Sequence, residues 1–67
     1  MQPIFSEYQV RQKLVEDLAN TLATLELAKE SLLAQDYVAA RRMLQICQSD
    51  LQQNERKLRI LISRVKE

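Results

Sequence analysis

Two stripes of apolar residues, each spaced three and four apart and set out of phase with one another, constrain this chain more than any other feature of its sequence. The first runs through Ile4, Tyr8, Arg11, Val15, Leu18, Leu22, Leu25, Lys29 and Leu32. The second runs through Tyr37, Ala40, Leu44, Cys47, Leu51, Asn54, Leu58, Leu61 and Val65. This spacing lines side chains along one edge of a helix, so each stripe marks a helix that packs along its length. Between Leu32 and Tyr37 the step is five residues, and an unbroken helix would carry the edge onto Asp36. A break is therefore expected there. Asp36 suits the N-cap of a second helix, and Ala34 and Gln35 leave a connection of the length common between antiparallel neighbours.

The expected fold is all-α: an antiparallel two-helix hairpin with coiled-coil packing, one domain over residues 1–67. Helix one is expected over residues 6–33, the turn over 34–36 and helix two over 37–66. Folding at the turn sets Leu25 against Leu44, Leu22 against Cys47, Leu18 against Leu51, Val15 against Asn54 and Ile4 against Val65, with a near-straight crossing that lets the layers persist. The competing arrangement is one long helix paired between chains, its phase shift absorbed in the supercoil; a turn without Gly keeps that arrangement open. At the N-terminus, Ser6 and Gln9 form a capping-box pattern, Phe5 and Val10 a hydrophobic staple, and Pro3 stands where a helix start tolerates it.

Composition narrows the class further. The chain has no Gly and one Pro, and aromatic residues make up 4% of it, which argues against tight-turned β structure and for long helices. At 67 residues its core is small, so dimerisation or docking into a four-helix bundle is expected. Residues 1–36 carry three basic and six acidic side chains, and residues 37–67 carry seven basic and three acidic, so the two helices attract each other. A lone cysteine and the lack of a signal-peptide pattern point to a cytoplasmic protein, and no apolar run approaches a membrane span.

No enzyme is expected, and no catalytic residue, cofactor or metal is assigned. There is no His, no Gly for a phosphate-cradling loop and no second Cys for a metal pair. Carboxylates such as Glu16, Asp17, Glu26 and Glu30 are expected to face water. Cys47, mid-stripe, reads as a small buried residue. Asn54, Arg11 and Lys29 interrupt the stripes and read as setters of register and partner number, the two long cations reaching out to water.

Once the stripes are assigned to the seam, Met43, Ile46, Ile60, Val10 and Leu27 remain as apolar residues with nothing to cover them. They are the expected partner-binding residues of a non-catalytic protein-protein interaction scaffold that docks onto other helices or self-associates. The alternative is a small dimeric four-helix-bundle RNA-binding protein, with Arg56, Lys57, Arg59 and Arg64 as candidate polyanion contacts; it lacks aromatic side chains there for stacking on bases. Nucleic acid is the less favoured partner. Residues 56–66, with Leu58, Ile60, Leu61, Ile62 and Val65 among basic neighbours, also suit peripheral association with an anionic membrane.

The segment LLAQDYVAARRMLQICQ, from Leu32 to Gln48, joins a leucine-rich helix to an acidic-Tyr turn, a small residue and an apolar helix, and VRQKLVEDLANTL supplies a long helix before it. It resembles the N-terminal helical region of the Vps50 and Vps54 subunits of multisubunit vesicle-tethering complexes. That resemblance implies a rod-like piece of a tether that acts in protein transport at Golgi or endosomal membranes, joined to other subunits by bundled helices. It assigns no binding residue.

Overall fold

A computed structural model describes residues 6–65, and the fold is an antiparallel hairpin of two helices, α1 (Glu7–Leu33) and α2 (Tyr37–Val65). The two form a rod of 52 × 19 × 15 Å. Pro3, Ile4, Phe5 and Lys66 lie outside the described residues, and with them the staple from Phe5 to Val10 and the pairing of Ile4 with Val65.

The helix ends are set by local chemistry. Ser6 is extended and its hydroxyl accepts from the Gln9 N–H at 3.2 Å, satisfying one of the four amides that a helix start leaves open. At the other end of α1 the Gln35 N–H donates to the Leu32 carbonyl at 3.0 Å and the Asp36 N–H to the Ser31 carbonyl at 2.8 Å. This pair of bonds is the Schellman closure, which requires a left-handed residue between cap and exit. Gln35 fills that place at φ 64°, a conformation that ordinarily favours Gly. Asp36 then begins α2, its carboxylate accepting from the Ala39 N–H at 3.2 Å and its carbonyl from the Ala40 N–H at 3.1 Å. Three residues thus end one helix and start the next with their amide donors satisfied, and the chain reverses without glycine.

The seam between the helices differs from the expected one. Buried on α1 are Leu14, Thr21 and Ala28, and on α2 Ala40, Cys47 and Asn54; each set recurs every seven residues. The Cys47 thiol donates to the Thr21 carbonyl at 3.9 Å, which fixes the middle layer. Two-turn steps in opposite directions from it bring Ala28 to Ala40 and Leu14 to Asn54. Between these layers the half-buried Asp17, Thr24 and Ser31 alternate with Met43 and Asp50.

On α1 the whole seam therefore lies one residue earlier than the apolar stripe. Val15, Leu18, Leu22, Leu25 and Leu32, expected inside, are exposed, as are Leu44, Leu51 and Leu58 on α2. Cys47 meets Thr21 and not Leu22, and Asn54 lies level with Leu14 and not Val15. Arg11 and Lys29 sit on the surface and do not interrupt the seam, where of the three expected polar residues only Asn54 is buried. The physical reason is size. Ala, Thr and Cys allow two helix backbones to approach closely, whereas leucines at the same layers would hold them apart. A pair of helices sides with the small edge when the leucines can flank it.

Candidate interaction face

One rotation of 100° per residue decides what each side of the hairpin presents. Val15 and Leu18 of α1 and Leu51 and Leu58 of α2 line a single shallow groove, floored by Leu14, Asn54 and Leu61 and rimmed by Arg11 and Glu55. Seven-residue steps along the same rows add Leu22 and Leu25 from α1 and Leu44 from α2. The same steps bring in Tyr8, Leu32 and Tyr37 towards the ends. Leu18 and Leu51 are each 44% exposed, although they flank the seam on both sides. This leucine face runs most of the length of the rod.

The opposite face is mixed. Its middle is polar, a concavity lined by Lys13, Asp17, Asn20, Asp50, Gln53, Asn54 and Lys57. There Lys57 reaches from α2 to Asp17 on α1 at 3.3 Å, and Lys13 approaches the same carboxylate at 3.6 Å. Towards the open end Val10 and Ile60 line an apolar hollow together with Gln9, Lys13 and Lys57.

The residues expected to bind a partner are thus divided by the fold. Val10 and Ile60 come together at the open end, and Ile46 and Leu27 are exposed on rows of that same opposite side, near the turn. Met43 is half-buried on the inner edge of α2, so it is partly used by the hairpin itself. No continuous surface joins all five, because the polar concavity lies between the two apolar ends. The broad apolar surface is the one built from the residues assigned to the seam. The signal that finds it is residue size: Leu14, Thr21, Ala28, Ala40, Cys47 and Asn54 form an edge of mostly small side chains beside the leucine edge.

The candidate polyanion contacts are likewise divided. Arg56, Arg59 and Arg64 line a shallow hollow with Ile60 and Ser63. Arg59 is held to Glu55 at 3.2 Å and Lys57 is turned towards Asp17, so both of these charges are matched within the chain.

Cys47 is buried and unpaired to any other cysteine. Asn54, 7% exposed, has a side-chain Nδ2 that finds no acceptor among the described residues, a rare circumstance for a buried donor. Among the described residues no cluster of three or more His, Cys, Asp or Glu side chains is placed to hold a metal ion, and no helix is long and apolar enough to cross a membrane.

Fold and surface together define a class: a two-helix antiparallel hairpin with a narrow, small-residue seam and one broad leucine face. No protein-family model, curated protein or solved structure matches the chain.

Proposed function

We propose that this chain is a non-catalytic interaction module that docks onto other helices through its leucine face. The observation that carries the reading is the exposure of Leu18 and Leu51 beside a seam in which, among the described residues, Leu14 is the one large aliphatic side chain buried. Contiguous apolar patches beyond a few hundred Å² are uncommon on monomeric proteins and mark surfaces that another molecule covers. The rows of the face follow helical spacing on both α1 and α2, so the matching partner is a helix, or a pair of helices, laid along the rod in the manner of a bundle. A narrower form of the reading, a rod within a vesicle-tethering assembly, is supported by the resemblance of Leu32 to Gln48 alone.

The test is site-specific photo-crosslinking in cells that make the protein. A photoreactive residue at Leu51 is expected to give a discrete protein adduct, and one at Gln53, on the opposite face, is expected to give none. Equal labelling from the two sites, or none from Leu51, would remove the reading.

A further inference from the structure

The rim of the leucine face carries a charge pattern that is complementary to itself. Arg41, Gln48 and Glu55 occupy one row of α2 at two-turn intervals, a cation and an anion placed symmetrically about a neutral centre. Glu55 is at the edge of the leucine groove, and the row therefore borders that face. A two-fold axis lying in the face at the level of Gln48, perpendicular to the rod, would lay two hairpins antiparallel with α2 on α2. Arg41 of each copy then meets Glu55 of the other, a carboxylate whose Oε2 Arg59 of its own helix holds at 3.2 Å, each about 10 Å from the axis by the helical rise.

We propose that the leucine face is covered by a second copy of this chain in that antiparallel arrangement, giving a four-helix bundle. This rests on the docking reading above and names its partner. At exposures of 38–64%, the seven central residues of the face leave on the order of 600 Å² per copy. Two copies together bury at most about 1,200 Å² from these seven residues, the lower bound of specific interfaces, before Tyr8, Leu32 and Tyr37 add to it. The same axis also brings Lys29 to the level of the partner's Arg11. Each of these holds a carboxylate of its own helix, Lys29 to Glu26 at 3.1 Å and Arg11 to Glu7 at 3.4 Å, so the approach is between neutralised pairs. The other two-fold arrangement, with the turns side by side, sets Lys29 against Arg41 and Arg11 against Glu55, twice each, so Arg41, which no ion pair neutralises among the described residues, faces a cation there. The antiparallel form is the one that gives Arg41 a carboxylate.

The experiment is sedimentation equilibrium of the full chain across a wide concentration range, with helicity followed in parallel. The wild type is expected to approach twice the 7.8 kDa chain mass. Arg41→Glu and Glu55→Arg, both on the surface, are each expected to weaken the dimer about tenfold, since two symmetric pairs turn from attractive to repulsive. The double variant binds itself more tightly than either single variant, because the swapped charges again meet across the axis; Glu55→Arg and the double variant alike lose the Glu55–Arg59 pair, so the comparison of those two isolates the contact between copies. A helical monomer at every concentration would overturn the proposal, as would a dimer indifferent to the single swaps or no tighter in the double variant than in the single ones. A helical monomer that still gives a foreign adduct from Leu51 removes the second copy and leaves the docking reading standing; loss of any adduct from Leu51 removes both.

Discussion

The Cys47 thiol donates across the hairpin to the carbonyl of Thr21, and both residues are 2% exposed. Neither side chain is large, and their closeness shows how narrowly the helices approach at mid-rod. Replacing Cys47 by Leu should drive the layer apart and cost about 1 to 3 kcal/mol, as overpacking does in a filled interior. Urea unfolding measures it; a variant as stable as the parent would show that the layer has room.

Leu14 and Leu51 distinguish the two surfaces on which leucine is used. Leu14 is 8% exposed within the hairpin, so Leu14→Ala should cost about 2 to 5 kcal/mol whatever the protein concentration. Leu51→Ala acts on the outer face, and its cost should grow with concentration as association contributes to stability. Thermal melts at several concentrations check both. A concentration-independent loss at Leu51 as large as that at Leu14 would place Leu51 inside the hairpin.

Gln35 holds a left-handed backbone at φ 64°. A side chain with a Cβ is strained there by about 1 to 2 kcal/mol, which Gly avoids at some cost in unfolded-chain entropy. Gln35→Gly should therefore raise the thermal midpoint modestly, and Gln35→Val should lower it. The reverse order would mean that the chain does not turn at this residue.

Asn54 is a buried amide whose Nδ2 has no acceptor among the described residues. Val needs no hydrogen bond and is closer than Leu to the size of Asn, so Asn54→Val should stabilise the fold by part of the about 1 to 3 kcal/mol that a buried unsatisfied donor costs. Calorimetry decides this; destabilisation would show that the amide is satisfied.

Basic residues near the end of α2 are in part matched within the chain, Lys57 by Asp17 and Arg59 by Glu55. RNA is expected to bind weakly and without strong discrimination. Steeply salt-dependent, tight binding lost on replacing Arg56 and Arg64 would instead favour the nucleic-acid reading.

The elements were legible in the sequence and the rotation of α1 was not. The five-residue step between Leu32 and Tyr37, the cap at Ser6 and the carboxylate of Asp36 mark the turn and the helix ends through local hydrogen bonding, and the structure places all three as their chemistry requires. Which edge of α1 turns inward depends on a competition that hydrophobicity alone misjudges. Leu18, Leu22 and Leu25 form the more apolar edge, yet Thr21 and Ala28, on the edge one residue earlier, permit the closer approach. On α2 both edges share Ala40, Cys47 and Asn54, so the error there falls on Tyr37, Leu44, Leu51 and Leu58. The same misjudgement hid the leucine face, since residues assigned to a seam are not counted as surface.

The most direct measurement is disulfide formation with the single native thiol of Cys47. Thr21→Cys and Leu22→Cys differ by one position on α1 and by which edge of that helix faces α2. The account predicts rapid intramolecular bridging of Cys47 to Thr21→Cys and none to Leu22→Cys under the same oxidant. Bridging through Leu22→Cys, with Thr21→Cys left reduced, would turn the leucine edge inward and contradict it.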